Sequence, residues 1–330
     1  MKITVLGAGS WGTALGRVLA LKGNEVVFYD HNPIKESINT SHINVEFYPG
    51  IILPSNMSFE GNLSKALTGA KLVLFAVPSR FYRETAKTVS ALLTEKVHIV
   101  SVAKGFDPLS FERLSCVLRE EIPAEKRYPI VTLIGPSYAE EVIRDLLTCV
   151  TAVSLDEKEA KFIQDLFSNE TFRVYTNTDE IGAEVCAAMK NVLAIAAGIV
   201  IGLGQGENAR ASLVTRGLKE IMRLGLSLGG RKETFYGLTG IGDLMLTCNS
   251  MKSRNFTLGF QIGCSNNAKR VLEDNKKTVE GILTCKYATS LCKSLKVEMP
   301  ITEAIYKVLF ENAVPSIATV ELMKRELKSE

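Results

Sequence analysis

The sequence predicts an α/β fold in its first half, a doubly wound parallel sheet, followed by an all-α second half. Through residue 178, short apolar runs alternate with segments of helical periodicity, which is how a parallel sheet covered on both faces reads. From Asp179 onward strand-like runs vanish and apolar residues recur at helical spacing in long Ala- and Leu-rich segments. The length, 330 residues, exceeds what one hydrophobic core usually supports, so two domains are expected, 1–178 and 179–330.

The strands are expected, in order, at Lys2–Leu6, Glu25–Tyr29, Leu72–Val77, Val97–Val102, Ile130–Ile134, Thr148–Ser154 and Phe172–Tyr175. Most are continuous apolar runs, as strands buried on both faces should be. A helix is expected at Thr13–Lys22, and another at Ser137, where Ser137 and Glu140 fit the S-x-x-E capping box. The longest apolar run, Val192–Gly204, is flanked by Lys190 and Gln205 and is too short to span a bilayer, so it reads as a buried helix. The tail Leu322–Glu330 reads as a fraying charged helix end.

Composition excludes several function classes. Hydrophobic residues make up 46% and charged residues 23%, as in ordinary globular chains, which argues against disorder. Lys and Arg number 39 against 36 Asp and Glu, with the signs interspersed, so no broad basic field suits nucleic acid. Seven scattered cysteines without a C-x-x-C pair argue for reduced thiols and a cytoplasmic location. His31, His42 and His98 lie too far apart in sequence for a metal cluster. No signal peptide is expected, because the N-terminal apolar run breaks at Gly7 and Gly9.

Gly7-Ala8-Gly9-Ser10-Trp11-Gly12 fits G-x-G-x-x-G between a strand and a helix. In that context Gly7 makes the tight turn, Gly9 lets a pyrophosphate approach the backbone and Gly12 permits close packing, the signature of a dinucleotide site. Asp30 ends the second strand eighteen positions after Gly12, where an acid accepts from an adenosine ribose and repels a 2′-phosphate, which favours NAD. His31 beside it pulls toward NADP through partial positive charge. Lys104 and Gly135 follow the fourth and fifth expected strands at the edge where ligands bind. Lys190 is the single charge in a long apolar run, so its ammonium must either reach a surface or face a polar cavity. Small residues at Ala183, Ala187, Ala194 and Ala197 share its helical face and leave room beside it. Further on, Gly237–Gly242 precedes Asp243, and Ser253-Arg254-Asn255 pairs a helix-capping serine with an arginine suited to phosphate.

Together these segments closely resemble the NAD(P)-dependent glycerol-3-phosphate dehydrogenase family. The resemblance spans essentially the whole chain, through GAGSWGTALG, SVAKGF, GPSYAEEV, the block from Ala187 to Gly225, GLTGIGDLMLTCNSMKSRN and TVEGILTCKYA. It implies a Rossmann-like first domain, a helical second domain and reversible hydride transfer between dihydroxyacetone phosphate and sn-glycerol 3-phosphate, the precursor for phospholipid synthesis. Beyond Gly7, Gly9 and Gly12, it implies dinucleotide contacts at Ser10, Trp11, His31, Lys104, Ala139, Arg254, Val279 and Glu280. For the phosphorylated triose it implies Lys104, Gly135, Ser137, Lys190, Asp243, Ser253, Arg254 and Asn255. Lys190 becomes the proton acceptor in glycerol 3-phosphate oxidation, with Lys104, Asn191, Asp243 and Thr247 as its polar neighbours. No metal is implied, and a homodimer stays open. The chain departs from the family where a Tyr-Leu-Pro-Gly segment is expected: Phe47-Tyr48-Pro49-Gly50 stands there, leaving the role of residues 44–50 open. The alternative is another two-domain dehydrogenase of the 3-hydroxyacid or 6-phosphogluconate type, against which the Ser253–Asn255 segment and Lys104 speak.

Overall fold

A computed structural model describes residues 1–275, 278–327 and 329. It divides into two compact units, Met1–Glu180 and Ile181–Glu330. The first holds eight strands: β1 (Lys2–Leu6), β2 (Glu25–Tyr29), β3 (Met57–Phe59), β4 (Leu72–Phe75), β5 (His98–Ser101), β6 (Val131–Ile134), β7 (Thr148–Val153) and β8 (Phe172–Asn177). Their order in the single sheet is β3-β2-β1-β4-β5-β6-β7-β8. Chain direction reverses its path across the sheet between β1 and β4, which is the switch point where open α/β sheets bind ligands. The helices of this unit are α1 (Ser10–Leu21), α2 (Ser37–Ser41), α3 (Leu63–Leu67), α4 (Tyr82–Leu92), α5 (Leu114–Glu121), α6 (Ala139–Val142) and α7 (Glu157–Phe167).

Two apolar layers hold the sheet. Ile3, Val5, Leu15, Phe28, Leu74 and Val100 belong to one core cluster, and Leu6, Val73, Phe75, Tyr82 and Ile99 to the other. Neighbours in sequence within β1 and β4 thus point to opposite faces, as the two-residue period of a strand requires.

Four expectations need correction. The sheet is mixed, because β7 runs antiparallel to β6 while the other pairs are parallel. A continuous apolar run carries burial on two faces but no direction, so the sequence is silent on this. The edge strand β3 was not expected, since three residues at an edge are too few to show a period. Helix α1 begins at Ser10, three residues before the expected start, so Gly12 lies inside its first turn. Ser137 does not open a helix: its hydroxyl donates to the Gly135 carbonyl at 3.0 Å, and α6 begins at Ala139 without a side-chain cap.

The second unit carries no strand among its described residues. It is built from α8 (Glu180–Gly202), α9 (Gly206–Ser227), α10 (Lys232–Phe235), a π turn (Leu238–Gly242), α11 (Asp243–Cys248), α12 (Arg254–Ser265), α13 (Ala268–Asp274), α14 (Glu280–Leu295), α15 (Pro300–Phe310) and α16 (Pro315–Met323). At 23 residues α8 is longer than the apolar run that announced it and would cross a membrane by length and composition, but 89% of its apolar window is buried inside the protein. It is the core helix of the unit. The expected helical tail stops at Met323, and Lys328 and Glu330 of that segment lie outside the described residues.

Helices α8 and α12 touch backbone to backbone. A Cβ on Gly198 would sit 2.1 Å from the Phe256 carbonyl oxygen, and one on Gly259 would sit 2.0 Å from that of Ile195. Gly202 and Gly263 repeat the contact one turn along. Small residues four apart on both helices permit this approach, the same device that brings helices together in membranes.

Candidate active site

In the first unit the candidate residues gather at the carboxyl ends of β1, β2, β5 and β6. Gly7 follows β1 with φ +99°, in the left-handed region, and a Cβ there would come within 2.8 Å of the Ala76 carbonyl oxygen. Gly12 lies against the same turn, where an added Cβ would be 2.1 Å from the Gly7 carbonyl oxygen. Gly9, in contrast, has open space around the position of a Cβ. That opening lies at the N-terminus of the twelve-residue helix α1, whose first N–H groups have no partner within the helix. A pyrophosphate group fits there, drawn by those donors and the positive end of the helix dipole.

Side chains brace this turn from both sides. The Asp30 carboxylate accepts from the Ala8 N–H at 2.9 Å and from the Asn32 N–H at 3.0 Å. The Tyr48 hydroxyl lies 2.7 Å from Ser10 Oγ. Burial is the main cause that pushes the Tyr48 phenol up, outweighing the pull of that hydrogen bond. His31 stands exposed beside Tyr29, ring edge to ring face at 5.3 Å. Trp11 lies in the first turn of α1, Lys104 follows β5, Gly135 and Ser137 follow β6, and Ala139 opens α6.

The second unit brings Lys190, Asp243 and Thr247 together. Lys190 projects from α8 and is 5% exposed, and Asp243, the first residue of α11, is 1% exposed. The Lys190 ammonium donates to the Asp243 carboxylate and, at 3.0 Å, to Thr247 Oγ1. Thr247 in turn donates to the Asp243 backbone carbonyl at 2.6 Å, fixing the hydroxyl as an acceptor for the lysine. The ammonium therefore meets a buried polar group rather than a surface. A charge so deeply buried is tolerable because an opposite charge and a hydroxyl compensate it. The neighbouring Cys248 is no nucleophile: burial pushes its thiol up to about 12, which keeps it protonated.

A second polar group adjoins this one along α8. Asn191 Oδ1 accepts from Asn255 Nδ2 at 3.0 Å, and Asn255 Oδ1 accepts from the Gly281 N–H at 2.9 Å. Asn255 thus joins α8 to the start of α14, where Val279 is the N-cap and Glu280 the first residue. Ser253 caps α12 by accepting from the Phe256 N–H at 3.2 Å, as its sequence suggested, and exposed Arg254 opens that helix. Buried Asn44, its carboxamide bonded to the Gly7–Gly12 turn, escaped the sequence reading, as did the tie from Tyr48. No period or motif announces either. The glycine pairs of α8 and α12 stand in the sequence as G-x-x-x-G, the spacing that lets the two backbones meet.

Known proteins match the chain over essentially its full length. Residues 2–160 match the family model for the N-terminus of NAD-dependent glycerol-3-phosphate dehydrogenase, and residues 179–320 match that for its C-terminus. The chain is 46% identical over 330 residues to the glycerol-3-phosphate dehydrogenase (NAD(P)+) of Lysinibacillus sphaericus, covering 100% of this chain and 98% of that one. It is 47% identical over 325 residues to the enzyme of the same name from Bacillus pumilus, covering 98% and 94%. The crystal structure of glycerol-3-phosphate dehydrogenase from Coxiella burnetii superposes with a TM-score of 0.92 at 35% identity, covering 98% of this chain and 99% of that one. With a glycine turn at a sheet switch point in one unit, a buried lysine–aspartate pair in the other and relatives of this kind along its whole length, the chain belongs to the NAD-dependent glycerol-3-phosphate dehydrogenase family.

Proposed function

We propose that the protein interconverts dihydroxyacetone phosphate and sn-glycerol 3-phosphate with NAD(P), and that Lys190 carries the proton. The observation that carries this reading is the buried Lys190–Asp243–Thr247 group. The glycine turn of the first unit is assigned to the dinucleotide and the lysine group of the second to proton transfer.

When bound, the nicotinamide supplies the hydride that reaches C2 of the ketone, or takes it away in oxidation. Negative charge then develops on the C2 oxygen, and a cationic Nζ both stabilises it and delivers its proton. Asp243 and Thr247 hold that Nζ in place through the change of charge. In oxidation the neutral Nζ takes the proton back. Arg254 and the free N–H groups at the start of α12 suit the substrate phosphate, with Asn255 fixed by Asn191 and Gly281. Lys104, Gly135 and Ser137 are assigned to the triose as well, and Gly7, Gly9, Ser10, Trp11, Gly12, His31 and Ala139, with Arg254, Val279 and Glu280, to the dinucleotide. Asp30 keeps a carboxylate at the end of β2 with both oxygens engaged by backbone N–H groups. A 2′-phosphate there would meet that negative charge, so we assign a preference for NADH. The unpaired state of the seven cysteines supports a cytoplasmic enzyme, and its product is the backbone for phospholipid synthesis.

The test is loss of reduced-nicotinamide absorbance on adding dihydroxyacetone phosphate, with NADH and NADPH in parallel. Oxidation that depends on the triose phosphate, faster with NADH, is expected. Protein that binds dinucleotide yet oxidises it with neither cofactor would return the assignment to other two-domain dehydrogenases.

A further inference from the structure

Side chains of the segment between α2 and β3 converge on the Gly7–Gly12 turn. Asn44 is fully buried. Its carboxamide nitrogen donates to the Ala8 carbonyl and to Thr13 Oγ1, each at 2.8 Å. Its oxygen faces the ammonium of Lys35 at 3.4 Å. Lys35 is itself 2% exposed, pairs with the Glu46 carboxylate at 2.6 Å and lies over the Phe47 ring at 4.4 Å. The same Glu46 oxygen accepts from Asn32 Nδ2 at 3.1 Å, and the Asn32 N–H binds Asp30. Four residues after Asn44, the Tyr48 hydroxyl reaches Ser10, at 2.7 Å from Oγ and 3.0 Å from the carbonyl.

The Ala8 residue is therefore gripped at both polar groups, its N–H by Asp30 and its carbonyl by Asn44. Gripping both ends fixes the peptide planes on either side of Ala8, and with them the direction in which the N–H groups from Gly9 onward point. A loop held in its binding geometry before the ligand arrives loses less conformational freedom on binding. The buried Lys35 ammonium is paired at its outer side with the more exposed Glu46 carboxylate and directs a further donor to the Asn44 oxygen, so the ion pair anchors the carboxamide from behind.

We propose that Asn44, anchored by the Lys35–Glu46 ion pair, is a positioning residue that sets the pyrophosphate-binding turn at Ala8 and thereby the affinity for the dinucleotide. The inference rests on the dinucleotide reading of that turn. Asn44 acts through Ala8, and the 44–50 segment is a strut rather than a wall of the site.

Trp11, the single tryptophan of the chain, lies within the turn and gives a readout independent of turnover. Quenching of its fluorescence by NADH measures Kd directly, and steady-state rates give KM and kcat beside it. Asn44→Asp keeps the shape and the acceptor toward Lys35 but removes both donors and sets a carboxylate against the Ala8 carbonyl. A role in filling space alone would survive this change. The expected result is a rise of about tenfold in both Kd and KM for NADH, the loss of one to two hydrogen bonds' worth, with KM for dihydroxyacetone phosphate unchanged. Glu46→Gln, at a partly exposed position, should raise Kd about threefold by loosening Lys35, on the same reckoning. If Asn44→Asp does not fold, Glu46→Gln and Tyr48→Phe decide. An unchanged Kd in folded Asn44→Asp, or in both substitutes, overturns the proposal. Wild-type protein that quenches with NADH yet fails to reduce the triose phosphate would sink the proposed reaction and leave the positioning role to be judged on Kd.

Discussion

Lys190 is where a single residue says most. An ammonium in an apolar run is costly unless it is paired, so the run itself pointed to a polar partner; which partner it was came only with the fold. Lys190→Ala is expected to lower turnover by about 10³-fold or more, within the range of proton-transfer and charge-stabilising groups, while NADH quenching of Trp11 stays as in wild type. Steady-state kinetics and a fluorescence titration check both halves, and near-wild-type turnover would remove Lys190 from its role. Lys190→Arg is not expected to rescue, because a guanidinium keeps its proton at any working pH. Gly12→Ala acts at the other unit. Its Cβ would fall 2.1 Å from the Gly7 carbonyl oxygen, so the turn must open, and NADH quenching of Trp11 should be lost. Asp30 and Lys190 were legible because charge stands out where it is rare or ends a strand. Asn44 was not, since an asparagine in a loop reads as a turn residue until its carboxamide is seen bonded across the chain.

At the scale of elements, helix α12 illustrates how much a cap and a crossing decide. Ser253→Ala removes the acceptor for the Phe256 N–H and should cost about 1 kcal/mol of stability. Chemical denaturation measures that loss, and KM for the triose phosphate should rise with it as the first turn of α12 loosens. Gly259→Ala is the harsher change. Its methyl would meet the Ile195 carbonyl oxygen at 2.0 Å, so α8 and α12 must separate, at a cost of about 2 to 3 kcal/mol for overpacking. The Asn191–Asn255 hydrogen bond spans the same pair of helices, and activity should fall with stability. The continuous apolar run Val192–Gly204 announced α8, and the capping Ser253 announced the start of α12. The helix start at Ser137 misled because a capping box is a pattern of residue types, whereas a cap needs the hydroxyl to face forward, and here it turns back to Gly135.

At the scale of the molecule, the buried glutamates Glu220 and Glu180 bear on stability in opposite senses. Glu220 of α9 is pushed up to about 7 by burial, against the pull of hydrogen bonds from Ile301 N, Thr302 N and Thr302 Oγ1 at the start of α15. A carboxyl raised in the fold favours folding most below its unfolded value of about 4.5, and that contribution fades as pH climbs through about 7, by about 3 kcal/mol in all. Burial also pushes Glu180 up, but hydrogen bonds and charge from Arg119, then from Arg113 and Ser115, win and hold its carboxyl low. That contribution is present above the ordinary carboxylate range and is lost as pH falls through the depressed value. Unfolding of Glu220→Gln between pH 5 and 8 should therefore vary less with pH than wild type, while Glu180→Gln should flatten the acid side. Equal slopes for variant and wild type would remove the glutamate concerned from this account. What the sequence determined by itself were features of short range: the alternation of strand and helix, the change of texture after residue 178, the glycine turn after β1 and the isolated charge of Lys190. The direction of β7, the pairing of Lys190 with Asp243 53 positions away and the grip of Asn44 on Ala8 across 36 were decided by tertiary structure alone. Periodicity records which face of an element is buried, whereas a partner distant in sequence is chosen by the packing that brings two backbones together.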